Sequence, residues 1–264
     1  MHGGSWHDPE LLKVQLKVYN LCEGVVLVAE DQGTIVGEAD LVISNEPAPF
    51  HRNLTLMWIL VDPRHRRKQI AAALMHESIQ YGKQNKCTYY FTWPEDKRSH
   101  QLYLKVGFEK IWNLLCYRGK PKLSAPIPNV EIEKQLLKDY PQDLLQVTNR
   151  HNPSACNWAN FIIHKEKQKI LNRPPQLEVF ATEIQGKRTV FSVGDHPCIW
   201  VEPDMKQDFE LIRAILTLAV HYTPNRKSGI LLYLQEPQRE IGEHLALQLK
   251  SKDASPYLRM NLMT

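Results

Sequence analysis

Between Arg118 and Asn129 the chain reads Arg-Gly-Lys-Pro-Lys-Leu-Ser-Ala-Pro-Ile-Pro-Asn, and its prolines 121, 126 and 128 exclude a helix interior or a central strand. No continuous element can cross it. Residues 121–129 are therefore expected to link a first domain over 1–120 to a second over 130–264. Each side has the roughly 100 to 150 residues of an ordinary domain. A chain of 264 residues that is 43% hydrophobic can give each its own core.

Charge excludes more than it selects. The 33 Lys+Arg and 29 Asp+Glu leave a formal charge of +4, too even for a chain organised around nucleic acid or an anionic membrane surface. Cys22, Cys87, Cys116, Cys156 and Cys198 form no Cys-x-x-Cys pair and no Cys/His cluster, so reduced thiols are expected and no metal is assigned. The start, Met1 to Asp8, lacks the basic and apolar stretches of a signal peptide, and no window approaches the roughly 20 apolar residues of a membrane span. A cytoplasmic location is expected.

In the first half, Asp8-Pro9 reads as an N-cap and N1 proline opening a helix over 10–22, with Leu12, Leu16 and Tyr19 inward. The alternation Leu12, Val14, Leu16, Val18 offers a rival strand. Strands are expected at 25–30 and 34–44 around the Asp31-Gln32-Gly33 turn, and at 54–61, a continuous apolar run. A helix over 70–85, with Ile70, Ala73, Leu74 and Tyr81 inward, a strand at 88–93, a helix at 99–106 and a strand at 108–117 complete a mixed α/β sheet. The second half repeats the plan, with strands at 130–135, 177–184, 188–193 and 198–201, a helix over 208–222, a strand at 229–235, a helix over 239–250 and a strand at 257–263. A shift of 143 residues lays Tyr90-Phe-Thr-Trp-Pro94 on Tyr233-Leu-Gln-Glu-Pro237, and Leu102 and Leu104 on Leu245 and Leu247. Internal duplication would produce that match.

The strongest local signal is Val61-Asp-Pro-Arg-His-Arg-Arg-Lys-Gln-Ile-Ala-Ala-Ala-Leu74, a buried strand entering a basic turn and then a helix start. Free N–H groups at a helix N-terminus and the macrodipole favour an anion there, and Arg64, Arg66, Arg67 and Lys68 supply charge. A pyrophosphate would fit; so would a plain solvated turn or a short nucleic-acid patch.

With its context this stretch resembles the GCN5-related N-acetyltransferase (GNAT) superfamily. Arg66 and Ala71 match the ends of the family's acyl-CoA turn, and Gln69 stands where the family has glycine. Downstream, Asp96-Lys-Arg-Ser-His-Gln-Leu-Tyr-Leu-Lys-Val-Gly-Phe108 resembles the family's segment around its conserved Leu-Tyr, with Asp96 and Ser99 substituted. The resemblance spans about residues 10–117 and implies an α/β fold of two tandem GNAT-like mixed-sheet domains, the second degenerate.

It also implies roles. The backbone of Ile59, Leu60 and Val61 would meet the pantetheine arm of acetyl-CoA, and Arg66, Arg67, Lys68, Gln69, Ile70 and Ala71 would hold its pyrophosphate. A neutral primary amine would attack the thioester in a ternary complex while Tyr103 protonates the leaving thiolate. The strand 54–58 offers no carboxylate as base; Glu38, Asp40 and Glu46 are the candidates for holding the acceptor's ammonium.

In the second half the shift sets Ala246 opposite Tyr103, and the stretch after Val201-Glu-Pro203 reads Asp204-Met-Lys-Gln-Asp-Phe-Glu210, so acidic residues at that helix start would repel a pyrophosphate. That half would then wall the acceptor site, with Trp158, Asn160 and His164 as candidate lining. The family also begins with a strand and a helix before the element at 10–22. Either the start is truncated or the second half supplies the missing strand. Gln69 and the missing strand carboxylate leave open a second reading, a catalytically inactive acyl-CoA-binding or scaffold protein of the same fold.

Overall fold

A computed structural model describes residues 8–120, 128–134, 140–172, 177–223, 229–245, 247–249 and 255–263. Asp8 caps helix α1 (Pro9–Leu21), its Oδ1 accepting the Glu10 N–H at 2.9 Å. Strands β1 (Gly24–Asp31), β2 (Thr34–Asn45) and β3 (Arg52–Val61) form an antiparallel meander. Helix α2 (Ile70–Gln84) crosses to β4 (Tyr89–Thr92), parallel to β3; helix α3 (Lys97–Val106) and strand β5 (Glu109–Gly119) follow.

Alternate β2 residues choose the layers, because successive side chains point to opposite faces. Ala39, Leu41 and Ile43 pack with Leu74 and Met75 of α2, whereas Val42 packs with Val14 and Val18 of α1. Burying each such aliphatic side chain contributes about 1.5–3 kcal/mol. The expected inward stripe of α1 is corrected: Leu12 and Leu16 are 38% and 42% exposed, and Val14, Val18 and Tyr19 are buried. The helix has two apolar faces, and the one chosen brings the Tyr19 hydroxyl 2.8 Å from the buried Asp40 carboxylate, to which it donates. On α2, Ala73 is likewise exposed, and Leu74, Met75, Ser78 and Gly82 face the core.

The second half contributes β6 (Ile132–Lys134), β7 (Leu145–Gln146), α4 (Ser154–Ile162), α5 (His164–Ile170), β8 (Glu178–Ile184), β9 (Lys187–Val193), β10 (Ile199–Val201), α6 (Phe209–Tyr222), β11 (Ile230–Gln235), α7 (Arg239–His244), β12 (Gln248–Leu249) and β13 (Ser255–Asn261). One sheet runs β6-β8-β9-β10-β7. The helix expected over 239–250 ends at His244, and Gln248 and Leu249 pair with Arg118 and Tyr117 of β5 instead. The run Leu245, Leu247, Leu249 has the period of a strand, which an open edge of β5 can use. Ala246 and the linker residues 121–127 lie outside the described residues.

The two halves exchange strands. The larger sheet runs β1-β2-β3-β4-β13-β5-β11, so the last strand of the chain lies between β4 and β5, antiparallel to both. The second half thus does supply a strand to the first sheet, but in its interior; β1 remains the terminal strand among the described residues. The β13–β5 register repeats under the 143-residue shift: Leu114 faces Ser255, Trp112 faces Tyr257, and Asn113 faces Pro256, its own counterpart. The flanking pairs, Thr92 with Leu258 and Leu115 with Leu234, miss that symmetry by one residue because the β13–β5 register shifts between Tyr257 and Leu258.

Candidate functional site

The β2–β3 register shifts at Asp40/Leu41, which leaves Met57 as an extra residue on β3. A bulge increases local twist. Strand β3 pairs with β4 only from Asn53–Tyr89 to Thr55–Phe91; beyond that the two parallel strands separate. The gap is a cleft of about 350 Å³ whose lining includes Met57 to Val61, Arg66, Ala71, Thr92, Trp93, Glu95 and Tyr103. From Leu56 onward the backbone of β3 has no strand partner on this side among the described residues. Such groups need a polar partner.

At the mouth the backbone folds into an anion-receptive turn. Arg67 and Gln69 have φ of 65° and 62°, and Gln69, the N-cap of α2, makes no side-chain capping bond. The first helical bond is Ala73 N–H to Gln69 O at 3.0 Å, so the preceding N–H groups lack intrahelical acceptors. Gly37 lets α2 begin this close to the sheet: a Cβ there would lie 3.0 Å from Ile70 Cγ2 and 3.1 Å from Leu60 O. Arg64 is corrected as a free cation, since its guanidinium binds Asp62 at 2.7 Å. Arg66, Arg67 and Lys68 are exposed, with Arg66 Nε 3.4 Å from Val61 O.

Residues 2–108 match the profile of the acetyltransferase (GNAT) family. This part of the chain is a GNAT domain. No curated protein matches the sequence. The solved structures it is similar to include an acetyltransferase of Pyrococcus horikoshii (12% identity, 99% of this chain and 81% of that one, TM-score 0.58). Others are GCN5-related N-acetyltransferases from Kribbella flavida (11%, 99% and 65%, 0.54) and Anabaena variabilis (12%, 97% and 71%, 0.53). At such identities the likeness concerns the fold, and it extends over nearly the whole chain.

In the GNAT half, Ile59, Leu60, Val61, Arg66, Ala71 and Tyr103 meet in the one cleft; Arg67, Lys68, Gln69 and Ile70 stand at its mouth. Tyr103 is 4% exposed, and burial pushes its hydroxyl up to about 12, opposed by hydrogen bonding with Thr92 and reinforced by Glu95 and Asp96. That alters the expected acid step. Full proton transfer from such a phenol to a thiolate of ordinary pKa near 8.5 would cost about 5 kcal/mol.

The acceptor carboxylates fall elsewhere. Glu46 is fully buried in a two-point ion pair with Arg150, Nη1 to Oε2 at 2.6 Å and Nη2 to Oε1 at 3.2 Å, and joins the two halves. Asp40 is buried against Tyr19 and does not line the cleft; burial raises its pKa to about 6. Glu38, half-buried next to it on β2, does not line the cleft either. The carboxylate at the cleft that sequence reading missed is Glu95, exposed just after Pro94 at the end of β4. Its signal was its place between the strand and the Asp96 cap of α3, where Asp96 and Ser99 bond reciprocally. Among the described residues, no group of three or more His, Cys, Asp or Glu is placed to hold a metal.

Asp40 carries a stability prediction. Its folded pKa lies above the unfolded value of 3.8, so the folded state holds the proton more tightly and stability falls as pH rises from about 4 to about 6. Asp40→Asn keeps an acceptor for Tyr19 and should gain about 1–3 kcal/mol at neutral pH. Urea unfolding at several pH values checks it: an unchanged slope across that window contradicts the assignment.

In the second half the space between β10 and β11 is occupied by chain. β7 pairs with β10, Trp200 opposite Gln146 and Val201 opposite Leu145. On the other side the Asn149 N–H donates to Tyr233 O at 2.8 Å, and Asn149 Oδ1 accepts the Tyr233 N–H at 2.9 Å. Residues 145–149 therefore bridge β10 and β11, where the GNAT half has its opening. A mainly apolar cavity of about 560 Å³ remains beside them, lined in part by Phe50, Trp112 and Phe209. Asp208 caps α6 itself, Oδ1 accepting the Leu211 N–H at 2.9 Å, and Lys187 holds Asp204 at 2.8 Å. Of the candidate wall residues, Trp158 is buried core against Trp200, whereas Asn160 and His164 line a separate second-half cavity.

Proposed function

We propose that the protein is an N-acyltransferase that moves an acetyl group from acetyl-CoA to a primary amine, using the first-half cleft. The observation that carries this reading is the meeting, in one cleft, of an unpaired strand edge, an uncapped helix N-terminus beside Arg66, and the buried Tyr103 hydroxyl. The strand edge would bond the pantetheine amides and the turn would take the pyrophosphate. Ile59, Leu60, Val61, Arg66 and Ala71 would contact the bound molecule; Arg67, Lys68, Gln69 and Ile70 would shape the turn.

The neutral amine nitrogen attacks the thioester carbonyl, the C–S bond breaks, and the amine's surplus proton ends on sulfur. Tyr103 keeps its own proton and donates a hydrogen bond to the developing thiolate, a role that a raised pKa suits. An incoming ammonium would be held by the Glu95 carboxylate and would lose one proton to bulk water before the neutral nitrogen attacks. The domain division at 121–129, with the second half a duplicated and degenerate copy, is supported by the exchanged strands and by the chain occupying the space between β10 and β11. The same reading places the protein in the cytoplasm, where its five thiols would stay reduced.

Gln69 bears on whether the turn works. An L-residue in the left-handed region costs about 1–2 kcal/mol, and its Cβ stands where phosphate would approach. Gln69→Gly should tighten acetyl-CoA binding about 3- to 10-fold, with little change in melting temperature because relief of strain is offset by a freer unfolded chain. Weaker binding in a calorimetric titration would contradict that. The function itself is tested by thiol release from acetyl-CoA across polyamines, amino acids and peptides. Binding without release for every amine would favour the non-catalytic alternative.

A further inference from the structure

The second half encloses a cavity of about 500 Å³ between α4, α5, the β9–β10 loop and residues 149–152. It shares no lining residue with the acyl-CoA cleft. Its hydrogen bonds fix one another in sequence. Asn149 O can only accept, and it accepts from Asn157 Nδ2 at 3.3 Å, so Asn157 Oδ1 is the acceptor for Asn152 Nδ2, also at 3.3 Å. Asn152 Nδ2 then faces His151 Nε2 at 3.3 Å as a donor, which puts the imidazole proton on Nδ1. Burial holds the His151 pKa down to about 3, so the ring is neutral, and its Nδ1 has no partner among the described residues. An unmet buried donor costs about 1–3 kcal/mol.

Two further groups on the wall are uncommitted. Among the described residues, His164 Nε2 is buried without a partner and Lys167, half-buried, makes no ion pair. Asn160 spends its Nδ2 on Cys156 O at 2.8 Å, which leaves Oδ1 as an acceptor. Lys167 and the exposed Asp195 are the charged lining residues, and Phe161 and Leu177 form an apolar floor.

We propose that this cavity binds a small hydroxylated anion, a sugar acid or sugar phosphate. Its anionic group would meet Lys167, its hydroxyls would donate to the Asn160 and Asn152 carbonyl oxygens and accept from the wall, and its C–H face would lie on Phe161. An apolar ligand would strip water from these amides without replacing it. A cation would find its carboxylate only at the exposed rim.

Calorimetry on the full chain with D-gluconate, glucose 6-phosphate and glucose tests this. One of the anions should saturate a single site at least about tenfold more tightly than glucose, and which one does so tells carboxylate from phosphate. Lys167→Gln should abolish that preference while leaving acetyl-CoA binding unchanged. His151→Phe keeps a ring against Tyr233, now 4.1 Å away, and should weaken the anion about tenfold. No saturation by either anion up to about 10 mM, equal affinity for glucose, or full anion preference in K167Q would each overturn the proposal.

Discussion

Tyr103→Phe is expected to lower kcat for acetyl transfer by about 10²- to 10³-fold while leaving the KM for acetyl-CoA nearly unchanged. The ring belongs to the core around Phe108, 5.9 Å between centroids, and phenylalanine keeps that packing. In the proposed mechanism the variant loses one donor in the cleft, which would contact the thiolate and hardly at all the thioester. Its loss should therefore appear in kcat. With the hydroxyl pushed up to about 12, wild-type rates should show no basic limb from Tyr103 in the usual assay range. A variant with wild-type kcat would remove Tyr103 from the mechanism; a raised KM alone would make it a packing residue.

The largest stability effect is expected at the pair that joins the halves. Glu46 and Arg150 have side-chain exposures of 0% and 2%, and the guanidinium lies 3.4 Å from the centre of the Phe50 ring. Removing one partner leaves a buried charge alone, so Arg150→Ala or Glu46→Gln should cost about 3–5 kcal/mol in urea unfolding. Arg150→Met combined with Glu46→Gln should cost clearly less than the two single changes together, because neither charge is then stranded. A loss below about 1 kcal/mol from either single change would mean that water reaches the pair.

Much of the first half was legible because its signals are local. The Asp8-Pro9 cap, the Asp31-Gln32-Gly33 turn and the apolar run of β3 each fix an element within a few residues, and the Arg66–Ala71 turn and Tyr103 do reach one cleft. What stayed hidden depends on distant partners. Glu46 reads as a loop carboxylate until Arg150, 104 positions away, buries it. β13 reads as an ordinary last strand; nothing near it encodes insertion between β4 and β5. Helix α4 was missed because Ser154, Cys156, Asn157, Trp158, Ala159 and Phe161 are all buried, which erases the polar face that helical periodicity needs.

The proposed function requires one open cleft that takes acetyl-CoA in the first half and none in the second. Calorimetric titration of acetyl-CoA into the full chain tests this most directly. The predicted result is saturable binding at sub-millimolar concentration with one molecule per chain, weakened about 3- to 10-fold by Arg66→Ala. Two molecules per chain, or no saturation below about 1 mM, would contradict it.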